Sequence, residues 1–382
     1  MDIYLSTIID SYNYGTVLQA AATTDLLSPY GNVRVIDYCR PHWTTRGWID
    51  ASLADPSHGR LVNALKLVLK APFRAREHRN FRSFVERRLN LCDARSFLTG
   101  GDFDSTATYC VGSDQTWNAE CNYGLDPVYF LENVPAECKK ISVAASFGRS
   151  ALPENEVAGT RQLLASFDAI SVRESSSVAI LDGIGIKGSV ALKDPVLLCR
   201  SSYWSDLTAQ IPRHREPYVL VYMLNENPRM VEYAGLLARE QGMMAKIITF
   251  NPLKKAPDGL EAICLPSPEE WVAAFRDASY VVTDSFHGTC FSLLFEKPMV
   301  VFNPPRFSVR LADVLADFGL SERRVADGTP ANEVRVHERT IDWDAVRRAK
   351  QGFSAEAKRF LDACFAEGVA GAQSREDRAI SR

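Results

Sequence analysis

The residues best suited to chemistry lie between Ser279 and Phe302, SYVVTDSFHGTCFSLLFEKPMVVF. Tyr280 to Val282 is a β-branched and aromatic run that reads as a buried strand. Thr289 to Phe295 reads as a helix and Met299 to Phe302 as the next strand, the repeating unit of a doubly wound sheet. The turn between them puts Ser285, His287 and the backbone N–H groups of Gly288 and Thr289 at a helix N-terminus. Unpaired amides and the helix dipole attract anions there, and a histidine beside an anion can exchange protons near neutral pH. A polar turn with a surface histidine accounts for the same residues, so both readings stand on this stretch alone.

Three further clusters follow predicted strands. Asn13-Tyr14-Gly15 ends the turn after a first strand, Ile3 to Ile9, and opens a helix, Thr16 to Leu27. With a second strand at Val33 to Tyr38 this is a βαβ opening, and its loop lies where such sheets bind ligands. Gly112-Ser113-Asp114-Gln115-Thr116-Trp117-Asn118 follows the strand Thr108 to Val111 and offers hydrogen bonds to a hydroxyl-rich ligand, with Trp117 free either to stack on a sugar or to pack. Arg173, at the end of the strand Ala169 to Val172, could clamp a carboxylate or phosphate through its planar fork, or pair with Glu174. Ser175 is expected to cap the next helix. Two tempting patterns are set aside. Asp102-Phe103-Asp104 precedes a strand instead of following one and reads as a solvated turn. Gly183 to Gly188 fits G-x-G-x-x-G but follows a helix, the wrong context for a dinucleotide site, and Gly183 reads as a helix C-cap.

TDSFHGTCFSLLFEKPMVVF resembles the signature segment of the polysaccharide pyruvyl transferase family. Ordered likenesses support it at NYG (with Leu18 and Gln19), GSDQTWN, SVRE, the Asp194-Pro195 pair and SFHGT, and Arg310 matches a basic position common in the family. The resemblance spans about residues 1 to 325, loosely from 40 to 100. It implies two domains similar to the GT-B form, and transfer of the pyruvyl group of phosphoenolpyruvate to two sugar hydroxyls as a cyclic ketal. In that chemistry His287 would be the acid–base group. Arg173, Ser285, Gly288, Thr289 and Arg310 would hold the donor. Asn13, Tyr14, Gly15, Gly112, Ser113, Asp114, Gln115 and Trp117 would face the acceptor, a sugar or lipid-linked oligosaccharide. An enol phosphate is already activated, so neither a metal nor an organic cofactor is expected. A GT-B glycosyltransferase using a nucleotide sugar, or a non-catalytic carbohydrate-binding relative, would use the same cleft.

The surrounding elements must position these groups. The chain has 382 residues, 46% of them hydrophobic, enough for two cores. The pattern predicts an α/β protein of two doubly wound, Rossmann-like domains facing a cleft. The first runs over 1–205, the second over 206–345, and a C-terminal helix with a disordered tail over 346–382. The polar stretch 201–216 is the expected linker, and Ser267-Pro268-Glu269-Glu270 is a capping box opening a helix to Arg276. Arg306 to Leu320 reads as a helix carrying Arg310. A net charge of −3 gives no basic field for nucleic acid. Nine cysteines without a C-x-x-C pair read as reduced core residues, and no secretory leader or membrane span is expected, so the expected location is cytoplasmic. Residues 60–88 stand apart, with nine Lys or Arg against Glu77 and Glu86. Pro72 is expected to split them into two helices. Two readings are open for this segment: peripheral contact with the inner membrane face, or a solvated insertion that packs its apolar side, including Leu61, Leu65, Val68 and Leu69.

Overall fold

A computed structural model describes residues 1–54, 59–200, 202–250, 255–305 and 308–366. The expectation of disorder past Ala366 falls outside them. Strands β1 (Asp2–Ser6), β2 (Asn32–Ile36), β3 (Leu91–Cys92), β4 (Thr108–Val111), β5 (Lys139–Ala145), β6 (Ala169–Val172) and β7 (Val190–Ala191) form one parallel sheet, in the order β3-β2-β1-β4-β5-β6-β7. Strands β8 (Tyr218–Tyr222), β9 (Met244–Thr249), β10 (Leu260–Cys264), β11 (Tyr280–Thr283) and β12 (Met299–Val301) form a second, in the order β10-β9-β8-β11-β12. Helices connect the strands, and the near-continuous apolar runs of β4, β5 and β8 fit sheets covered on both faces. The architecture is α/β with two Rossmann-like, GT-B-like domains. Each sheet reverses its winding once, between β1 and β4 in the first and between β8 and β11 in the second. The crevice for ligands lies at such switch points, beyond the carboxyl ends of the strands.

The two halves share one apolar core. Tyr14 stacks on Trp271 at 5.4 Å between ring centres, and its hydroxyl donates to the Pro266 carbonyl at 2.6 Å. Arg87 pairs with Glu269 at 3.0 Å, and Asn80 donates to the Leu265 carbonyl. The 201–216 stretch is not a solvated linker throughout. A short helix, Tyr203–Leu207, buries Trp204 edge-on against Phe291 at 4.7 Å. The capping box at Ser267 and Glu270 forms with both of its hydrogen bonds.

Three local expectations fail for identifiable reasons. Pro72 does not split residues 60–88, which form a single helix, Arg60–Arg88, with the proline on its exposed side. The cost of one lost backbone bond is absorbed by 29 residues of otherwise continuous helix. Glu174, not Ser175, occupies the N-cap position of the helix Ser175–Gly183, and no side chain caps it. Gly183 is the last helical residue, and Ile184 is the C-cap.

The C-terminal helix Trp343–Phe365 crosses from the second half back to the first. Near its start Arg347 pairs with Glu296, and near its end Asp362 accepts from the Tyr30 hydroxyl at 2.7 Å. Phe365 stacks on Tyr30 and Lys139 donates to the Cys364 carbonyl. Ala357 completes a small apolar cluster with Ala144, Leu192 and Leu198.

Candidate active site

A cavity of about 340 Å³ lies between the halves, lined by the loops after β1, β4, β8 and β11. Both switch points therefore open into one space. Asn13, Thr16 and Arg40 reach it from the first domain together with Asp114 and Gln115. Leu224, Asn225, Ser285, Phe286, His287 and Arg310 reach it from the second.

The helix carrying His287 runs Phe286–Leu294, three residues earlier than its sequence suggests, because Ser285 is a working N-cap. The Ser285 hydroxyl accepts from the Gly288 amide at 3.3 Å, and the Thr289 amide donates to the Ser285 carbonyl at 2.9 Å. This corrects the expectation that Gly288 and Thr289 present free N–H groups to a donor: both are committed within the helix. The first two helical amides, of Phe286 and His287, make no hydrogen bond to another described residue. Gly288 has a different purpose. A Cβ there would lie 2.4 Å from Thr283 Oγ1, so its absence lets the helix pack against β11.

His287 is 8% exposed and projects out of its own domain. Its Nε2 is buried 3.5 Å from Asp194 Oδ2, ion-pair distance without hydrogen-bond geometry. The other side of its ring lies against Gly15, where a Cβ would stand 1.9 Å from Nδ1. Asp194 is fully buried and accepts from the Val196 amide at 3.0 Å as the cap of a short helix. Burial alone would push its carboxyl up, but His287 and Arg173 outweigh that and hold it down at about 2.

Behind Asp194 lies a closed charge network. Arg173 Nη1 donates to Asp194 at 2.9 Å and lies 3.7 Å from Asp114 Oδ1, while Nε donates to Glu174 at 3.0 Å. The Arg173 side chain is 2% exposed, so its fork is not open to a donor as expected: two of its three nitrogens are spent on neighbouring carboxylates and Nη2 is buried. Burial pushes Asp114 up as well, yet Arg173, His287, the Thr16 hydroxyl and Arg310 leave it below the usual carboxylate range. Asp114 holds φ at 70°, a costly conformation for a residue with a Cβ, and so places Oδ2 2.8 Å from Thr16.

The remaining expected residues divide clearly. Gln115, Asn13 and Arg310 line the cavity. Arg310 also lines a second chamber of about 130 Å³ behind Phe286, together with Arg173 and Lys193. Asn13 is an N-cap, its side chain accepting from the Gly15 amide. Tyr14 does not face an acceptor: it is 1% exposed and joins the two domains. Trp117 does not present a stacking face either. It is 1% exposed among Phe130, Phe147 and Phe167, and its indole N–H donates to the Tyr129 carbonyl. Gly112 and Ser113 lie beneath the loop, with a Cβ at Gly112 meeting Thr7 and the Ser113 carbonyl accepting from Thr7. Their packing makes the loop's shape and leaves Asp114 and Gln115 to line the cavity.

Sequence reading missed four contributors. Asp194 carried a signal, since the Asp-Pro pair was noticed, but its partner lies 93 residues away. Asp284 accepts from the Leu224 and Asn225 amides and fixes the loop after β8. Arg40 is 3% exposed, pairs with Asp10 at 2.6 Å and lines the cavity. Thr16 ties the first helix to Asp114.

Fold and site together define a two-domain α/β protein with a buried histidine–carboxylate pair at the domain interface. The chain belongs to the polysaccharide pyruvyl transferase family, whose family model matches residues 13–305. No curated protein matches the sequence. Among solved structures, the S. aureus MnaA–UDP complex is similar at 10% identity and a TM-score of 0.48, covering 95% of each chain. UDP-GlcNAc 2-epimerase from Neisseria meningitidis bound to UDP-GlcNAc gives 10% and 0.46, covering 94% of each.

Proposed function

We propose that the protein transfers the pyruvyl group of phosphoenolpyruvate to two hydroxyls of one sugar in a polysaccharide or its lipid-linked precursor, in the cytoplasm. The observation that carries this reading is the convergence of His287, backed by the buried Asp194, and Arg310 at the cavity joining both switch points. Phosphoenolpyruvate brings a phosphate and a carboxylate. Arg310 and the first amides of the Phe286–Leu294 helix are the groups suited to them. Carbon 3 gains a proton, the first sugar hydroxyl bonds to carbon 2, and the second hydroxyl replaces phosphate. One hydroxyl proton ends in the new methyl group and the other leaves with phosphate. In this reading His287 moves the protons in both steps and Asp194, 3.5 Å away, orients its ring. The enol phosphate supplies the driving force, so the balance needs neither metal nor organic cofactor.

The test is mass spectrometry of candidate soluble and lipid-linked glycans incubated with phosphoenolpyruvate and the protein. A product carrying a pyruvyl ketal, with one phosphate released per ketal, is expected. Transfer from a nucleotide sugar with phosphoenolpyruvate ignored would overturn the reading.

A further inference from the structure

Five of the eleven large apolar side chains exposed among the described residues fall within nine residues of the Arg60–Arg88 helix. Leu61, Val62, Leu65, Val68 and Leu69 are 46–89% exposed. At 3.6 residues per turn they share an arc of about 120°. Asn63, 3% exposed, faces the protein instead. The N-terminal third of the insertion therefore does not pack its apolar side, whereas Phe81, Phe84 and Val85 near its end are buried in the core. Monomeric proteins rarely leave such a contiguous patch uncovered.

Charge identifies the occupant. From Leu61 to Arg76 the helix carries Lys66, Lys70, Arg74 and Arg76 and no acidic residue. Arg76 and Arg79, both exposed, continue the apolar arc along the helix. A second copy of the chain would bring these cations against themselves. An anionic bilayer takes apolar side chains below the headgroups and cations among them. We propose that this face docks the protein on an anionic lipid surface. The docked helix is tied to the cleft mouth: Arg74 lies 3.8 Å from the centre of the Tyr12 ring and 5.9 Å from that of Trp43, which lines the cavity. Arg74 belongs to this cage and is not one of the lipid-facing cations.

Flotation of the full-length protein with phosphatidylglycerol-containing vesicles and with pure phosphatidylcholine vesicles tests the proposal without any turnover. Wild type is expected to float with the anionic vesicles, less so in high salt as screening grows, and not with neutral ones. Arg76→Glu/Arg79→Glu is expected to weaken binding by about fivefold or more per cation. Leu61→Ser/Leu65→Ser/Val68→Ser is expected to abolish it with the melting temperature unchanged. Three results would overturn the proposal: wild type ignoring anionic vesicles at low salt, the serine variant floating like wild type, or a wild-type dimer that the serine variant disperses. None depends on the donor, so failure here is distinct from failure of the pyruvyl transfer reading.

Discussion

Gly15→Ala separates positioning of His287 from everything else the site does. Gly15 lies in the first turn of the helix Tyr14–Leu27, where alanine is compatible with the backbone and removes up to about 1 kcal/mol of glycine's entropic penalty. Its Cβ would nevertheless stand 1.9 Å from His287 Nδ1 and 2.3 Å from Cγ, against an ordinary contact of 3.4 Å. Because Cγ is on the axis of χ2, turning the ring cannot relieve the overlap. To clear Cγ the ring must recede by about 1.1 Å through χ1 or a shift of its helix. Misplacing a reacting group by 1 Å costs about 10²-fold, so turnover is expected to fall by about 10²-fold or more. Crowding costs about 1–3 kcal/mol, partly offset by the helix, so the melting temperature should move by only a few degrees. The assay is phosphate release with ketal formation, compared across Gly15→Ala, His287→Ala and the double variant. Alanine at 287 removes the obstacle, so the double variant should match His287→Ala alone. Additive losses, or a Gly15→Ala enzyme within twofold of wild type, would refute a site built around this contact.

His287→Ala should itself lose about 10²–10⁴-fold in turnover while folding normally, as checked by circular dichroism. Arg310→Ala should raise the KM for phosphoenolpyruvate about 10- to 100-fold, the worth of a charge-assisted hydrogen bond, with acceptor KM less affected. Asp194 is held near 2 in the fold, below its ordinary value of 3.8. Its charge therefore adds stability above about pH 4, and that stability is lost as pH falls from about 4 through about 2. Asp194→Asn should flatten the drop in melting temperature across that window. Tyr14→Phe should cost about 1–3 kcal/mol in denaturant unfolding, since it orphans the Pro266 carbonyl, with little change in turnover.

Local patterns carried most of the strands and the capping box at Ser267, because each is written within a few consecutive residues. The motifs around Asn13, Gly112, Arg173, Asp194 and Ser285 were legible as separate stretches, and the fold gathers them into one buried network. What each residue does there was not legible. Trp117 and Tyr14 are amphipathic aromatics, equally suited to ligand or core, and only the partners Tyr129 and Pro266 decide. Arg173 is long enough to reach a donor, but Asp194 and Glu174 reach it first. Leu61 to Leu69 have helical spacing, and spacing cannot say whether the apolar arc points inward or out.

The returning helix Trp343–Phe365 also sets a timetable. The apolar patch around Ala144, Leu192 and Leu198, which Leu26 covers in part, is completed when Phe353, Ala357 and Phe360 arrive. Some 150 residues separate β7 from the start of that helix. At ordinary synthesis rates the first domain waits about 8–30 s for its cover. During that interval the nascent chain carries an unfinished apolar surface while the whole second domain is being made. A ribosome stalled anywhere between Ala191 and Trp343 would display a nearly complete sheet that cannot close, a state suited to chaperone capture.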